Sequence, residues 1–127
     1  MPNRARDWFR QAESDLDHAC SARQTGHHDW ACFAAHQAAE KALKSVHLRH
    51  LQDAWGHDLT RLLGSLPVEV PAVLVERARS LDQHYVPARY PNGFPEGTSF
   101  EHYGPLHSER AIQDARAIVE FARLSLA

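Results

Sequence analysis

The chain has 127 residues, 43% of them hydrophobic, enough for one domain that buries roughly two thirds of the surface its unfolded form exposes. Fourteen Lys and Arg against sixteen Asp and Glu leave a formal charge of −2, so no global field draws the chain to nucleic acid or membrane, and a polyanion has to be held by a local patch. The opening MPNRARDWFRQAESD has no apolar h-region and no run approaches the roughly 20 apolar residues of a membrane span, so a soluble, cytoplasmic protein is expected.

From Asn3 to about Arg23, Trp8, Phe9, Ala12, Leu16, Ala19 and Cys20 recur at helical steps and form one apolar stripe. Asn3 is the expected N-cap, and Thr25-Gly26 ends the pattern as a C-cap and turn. Residues 28–50, HDWACFAAHQAAEKALKSVHLRH, run without Gly or Pro and carry small residues on more than one side, which predicts the central helix of a bundle. The short link makes it the antiparallel neighbour of the first helix. Cys20 and Cys32 occupy Ala-like positions in these two helices, consistent with a reducing compartment.

A short helix is expected from about His57 to Leu66, with Leu59, Leu62, Leu63 and Leu66 as its apolar edge. Pro67 and Pro71 bracket a connector, and a further helix runs from about Pro71 to His84 with Val73, Leu74, Ala78 and Leu81 inward. Residues 85–106 have no helical period and combine four prolines and three glycines with five aromatics, which points to a functional loop. The last helix, from about His107 to Leu126, buries Ala111, Ile112, Ala115, Ile118, Val119, Ala122 and Leu126, with Ser108 as its cap and Glu109 in its first turn. The fold class is all-α: an up-and-down bundle of four to five helices in a single domain, 1–127, with a long Pro- and aromatic-rich loop before the last helix.

Three segments in this order, AAHQAAEKALKS, GHDLTRLL and HYVPARYPNG, together with the opening WFRQAESDLDHA, resemble the HEPN domain, the helical module of higher-eukaryote and prokaryote nucleotide-binding proteins. The resemblance covers essentially the whole chain and lies with the branch that carries HDL and RYP motifs. It implies a helical bundle that usually dimerises, often paired with a minimal nucleotidyltransferase, and in many members the toxin half of a toxin–antitoxin pair. Many members are metal-independent ribonucleases with an Arg followed after a short gap by His. Arg79 and His84 have four residues between them, and Arg77 and His84 six, at a helix end leading into Tyr85.

Several side chains are candidates for the chemistry. Arg89 with Tyr85 and Tyr90 pairs a planar phosphate-binding fork with two rings that stack on a base; the alternative is a loop anchor. Gln37, Lys41 and Lys44 share a face of the central helix and either line an anion pocket with Arg89 or form a polar stripe in which Glu40 pairs with Lys44. His57 and Asp58 stand where the short helix begins, as an acid–base pair or as its cap. His84, with Arg77 or Arg79 holding phosphate, is placed for proton transfer in metal-free RNA cleavage, or is a histidine favoured by a helix C-terminus. His47, His50, His57, His102 and His107 lack the third ligand and the spacing of a metal site and read as surface residues, so neither metal nor cofactor is expected. Three readings follow: a dimeric nucleotide- or RNA-associated module with a nucleotidyltransferase partner, a metal-independent endoribonuclease, and a structural dimer without ligand.

Overall fold

The computed structural model describes residues 3–127, and these are helical with no strand among them: α1 (Ala5–Gln24), α2 (His28–Arg49), α3 (Leu59–Gly64), α4 (Ala72–Asp82), α5 (Ser99–His102) and α6 (Pro105–Leu126). Cross-links between named residues set the topology. Asn3 donates to the carbonyl of Leu48 and Lys41 pairs with Asp15, so α1 and α2 are antiparallel. Arg116 reaches Cys20 and Arg123 reaches Glu13, so α6 is antiparallel to α1. Arg77 pairs with Asp114 and His84 bonds Tyr103, so α4 runs against α6. The four longer helices alternate in direction, as expected of an up-and-down bundle.

The centre of the bundle is α2. Ala31, Ala35, Ala38, Ala39 and Ala42 are fully buried, and their methyl groups let α1 and α6 pack against the same helix from different sides. Larger side chains close the remaining space: Leu43 and Val46 from α2, Leu59 and Leu63 from α3, Leu81 from α4, Ile118 and Val119 from α6. Each such side chain contributes about 1.5–3 kcal/mol by leaving water.

Both long antiparallel helices end in the same way. After α1, the amide of His27 bonds the carbonyl of Ala22 and the amide of Gly26 bonds Arg23, with Gly26 left-handed at φ +81°. After α2, the amide of Gln52 bonds His47 and that of Leu51 bonds Leu48, but here the left-handed position, φ +60°, is held by Leu51. This is the Schellman ending, in which glycine is the usual residue because a Cβ is strained there.

The structure moves several expected boundaries. Helix α1 starts two residues after Asn3, whose side chain accepts from the amide of Ala5 while its amide nitrogen ties down Leu48. Helix α3 is shorter than 57–66, and α4 stops at Asp82, not His84. Val73 is 57% exposed, because it lies on the outer face of α4 instead of pointing inward. The last helix starts at Pro105, where a proline loses nothing because first-turn amides lack helical partners. Ser108 is therefore not a cap but a buried residue within α6, bonded to His28, and Glu109 lies beyond the first turn. The capping is done by the ring of His107, which accepts from the amide of Gly104.

The 85–106 segment has structure of its own. It contains a 3₁₀ turn at Pro91–Gly93 and α5, which opens on a reciprocal capping box between Thr98 and Glu101. Gly93 packs so close to Pro87 that a Cβ would sit 2.9 Å from its Cα. The loop is thus fastened by backbone contact as well as by aromatic packing.

Candidate functional site

The last turn of α4 and the first half of α6 face each other across a groove of about 560 Å³. From α4 and the residues after it come Arg77, Arg79, His84 and one carboxylate, Glu76; from α6 come His107 and Arg110. The groove adjoins a recess of about 370 Å³ that shares Arg77 and Arg110 and adds the acidic Glu109 and Asp114.

The side chains differ in how they are held. Arg77 Nη1 lies 2.9 Å from Asp114 Oδ1, and Asp114 is buried, so the ion pair fixes the guanidinium at the junction of α4 and α6. Arg79 pairs with Glu76 one turn back on an exposed surface, a contact worth little. Arg110 makes no ion pair or side-chain hydrogen bond among the described residues and carries an uncommitted charge into the groove.

His84 is set from behind. Its Nδ1 is 2.8 Å from the hydroxyl of Tyr103, and the rings meet edge-on at 5.4 Å. Burial, with the charges of His107 and His36 adding to it, pushes its pKa down to about 4, so the ring is neutral at physiological pH. Burial also pushes the Tyr103 hydroxyl up, keeping it protonated. The protonated Tyr103 hydroxyl can donate to Nδ1, which puts the imidazole proton on Nε2, or accept from Nδ1–H, which leaves Nε2 an acceptor; Nε2 has no partner among the described residues.

Arg89 lies elsewhere, in an aromatic nest on the other side of the same chain segment. Its guanidinium carbon is 4.4 Å from the ring centre of Phe33, 4.5 Å from Tyr85 and 5.0 Å from Tyr90, and its Nε donates to the carbonyl of Tyr85. Tyr90 is half exposed. His57 stacks on Tyr85 at 4.8 Å and bonds Glu40 at 2.8 Å, while Lys44 holds the other oxygen of Glu40 at 3.2 Å. Lys41 turns toward α1 and pairs with Asp15 at 2.5 Å. Both lysines are therefore neutralised by carboxylates, and it is aromatic rings that surround Arg89. Gln37 is partly buried, and its Oε1 has no partner among the described residues. Asp58 caps α3, accepting from the amide of Arg61.

Asp82 links the two regions. It accepts from the amides of Leu59 and Thr60, from the hydroxyl of Thr60 and from Nε2 of the fully buried His36. Burial alone raises its pKa, but the bonds from His36, Leu59 and Thr60 outweigh that and hold it down to about 2.

Among the described residues no three His, Cys, Asp or Glu side chains are grouped to hold a metal ion. His47 is not a surface residue: it is buried, bonding the carbonyl of Leu62 and the side chain of Gln52. His102 stacks on Phe94. Burial pushes the Cys32 thiol up to about 12, so it is an inert core group. No helix of the described chain is long and apolar enough to cross a membrane.

The four longer helices form an up-and-down bundle, and a histidine- and arginine-lined groove lies at one end of it. The chain belongs to the HEPN domain family, whose profile matches residues 5–125. It is similar to TT1696 from Thermus thermophilus, at 48% identity over 98% of this chain and 100% of that one, with a TM-score of 0.97. It is also similar to ST0689, described as an archaeal HEPN homologue, at 32% identity over the whole of both chains with a TM-score of 0.85. A HEPN domain protein from Thermotoga maritima, TM0613, matches at 33% identity over 92% of this chain and 94% of its own, with a TM-score of 0.76. Among curated proteins none matches.

Proposed function

We propose that the chain is a nucleotide- or RNA-handling HEPN module that holds phosphate groups in the groove between α4 and α6, acts as a homodimer, and works with a minimal nucleotidyltransferase protein in a toxin–antitoxin-type pair. Family membership supports the association with nucleotides or RNA. The observation that carries the phosphate assignment is the convergence of Arg77, Arg79, His84, His107 and Arg110 on one groove in a chain whose net charge is −2.

The chemistry follows from the geometry. Guanidinium groups present planar, bidentate donors that match phosphate oxygens. Arg110 needs no protein ion pair broken to do so, and Arg77 is aimed by Asp114. A neutral His84, in the tautomer that accepts from Tyr103 at Nδ1, adds an Nε2–H donor that does not depend on pH near neutrality. The Arg89 nest, with its half-exposed Tyr90, supplies a stacking surface on the other side of the 82–90 segment.

The test is fluorescence anisotropy with a labelled single-stranded RNA oligonucleotide across a salt series. Arg110→Glu is expected to weaken binding about tenfold and to lower the salt slope by about one, as the loss of a phosphate contact does. Affinity and slope unchanged in that variant would remove phosphate from the groove. Pull-down of the tagged chain with mass spectrometry tests the nucleotidyltransferase partnership.

A second reading, a metal-independent endoribonuclease, is favoured by His84 lying beside two arginines in one groove. It requires the opposite tautomer, with Nδ1–H donating to Tyr103 and Nε2 free to accept the proton of a 2′-hydroxyl. RNA cleavage that persists in His84→Ala eliminates this reading.

A further inference from the structure

A second basic cavity lies at the other end of the bundle, away from the α4–α6 groove. It is an open hollow of about 750 Å³ between the start of α1, the end of α2 and the end of α6, a size suited to a small organic ligand. Arg6 and Arg10 enter it from successive turns of α1, Arg49 from the last residue of α2, and Arg123 from α6, against one acidic lining residue, Glu13. Arg123 is committed, bonded to Glu13 and Glu120 and lying 5.5 Å from the ring centre of Phe9. Arg6, Arg10 and Arg49 make no ion pair or side-chain hydrogen bond among the described residues, although most arginines of this chain do.

The remaining wall is apolar, and one part of it is unexplained by folding. Leu51 lines the cavity in the left-handed position that Gly26 fills after α1, and the residue is 87% exposed. Backbone preference argues for glycine there, and among the described residues the leucine is not part of the buried core. An apolar group bound against it accounts for both, since strained residues and uncovered hydrophobes gather at ligand clamps.

We infer that this cavity binds an organic polyphosphate with an apolar body: the anionic end meets Arg6, Arg10 and Arg49, and the body lies against Leu51. Nucleoside polyphosphates and isoprenoid diphosphates share that chemistry. The site is separate from the α4–α6 groove, and the inference stands whether or not the groove binds RNA.

Isothermal titration of the full chain with ATP, farnesyl diphosphate and inorganic tripolyphosphate tests it, with the folded state of each variant checked by thermal melting. At least one of the two organic ligands is expected to bind about tenfold tighter than tripolyphosphate, and the tighter one identifies the source of the apolar body. Arg10→Glu with Arg49→Glu should abolish that binding, whereas Arg110→Glu in the groove should leave it unchanged. Leu51→Gly should bring the organic ligand to the affinity of tripolyphosphate without altering the latter. Equal affinities in the native protein, or binding abolished by Arg110→Glu and retained in the Arg10/Arg49 variant, would overturn the assignment.

Discussion

The hydroxyl of Tyr103 holds Nδ1 of His84 at 2.8 Å, although the two residues belong to different sides of the 85–102 excursion. The phenol is the only hydrogen-bonding partner of that imidazole among the described residues. Tyr103→Phe keeps the ring packing and leaves a part-buried nitrogen without its bond. The expected loss is about 1–2 kcal/mol of unfolding free energy in a urea titration, together with weaker RNA binding. A Phe variant as stable as the native chain would mean that Tyr103 is held by packing alone.

His84 also makes a pH signature. The unfolded chain takes up a proton at this imidazole near its ordinary value of 6.5, whereas the folded chain resists until about 4. Its contribution is therefore complete above 6.5 and is lost as the pH falls toward 4, by about 2–3 kcal/mol. Urea midpoints measured from pH 7 to pH 4 should fall accordingly, and His84→Gln should flatten that part of the curve. A profile with the same slope in both proteins assigns the loss to other groups.

Asp82 works in a lower window with the same sign, since here too the folded chain favours the deprotonated group. Its carboxylate is held down to about 2 from 3.8, so the stability it supplies is present above 3.8 and drains away as the pH falls to 2. Asp82→Asn keeps the size and removes the charge that faces two α3 amides and His36. A loss of about 2–3 kcal/mol at neutral pH is expected, with α3 amides losing hydrogen-exchange protection before those of α2. Uniform loss of protection across both helices would show that Asp82 supports the whole core and not α3 in particular.

Leu51→Gly relieves a left-handed backbone that Gly26 adopts without strain in the equivalent place. The unliganded variant should gain about 0.5–1 kcal/mol, the left-handed strain being partly offset by the entropy of an added glycine. A lower melting temperature would show that the exposed leucine contributes packing that outweighs its strain.

Helical periodicity made the long elements legible because their buried stripes repeat within a single segment: α2 occupies 28–49, nearly the span its uninterrupted pattern predicts. Asp58 was legible as a cap for the same reason, since its partner Arg61 is three residues away. The groove was legible only by half. Arg77, Arg79 and His84 are close in sequence, but His107 and Arg110 come from another helix and carry no local pattern. His36 was hidden in an alanine-rich run, where nothing signals that its partner is a carboxylate 46 residues on. The order of the long loop did have a signal, the Thr98-to-Glu101 capping box, yet its closest fastening, Gly93 against Pro87, depends on tertiary approach.

Within residues 82–85 the side chains leave in different directions: Asp82 to the start of α3 and to His36, His84 into the groove, Tyr85 onto His57 beneath Arg89. A groove and a stacking surface are thus cut from the two faces of a single stretch of main chain, with no flexible spacer between them. A substitution that displaces this stretch acts on both faces at once.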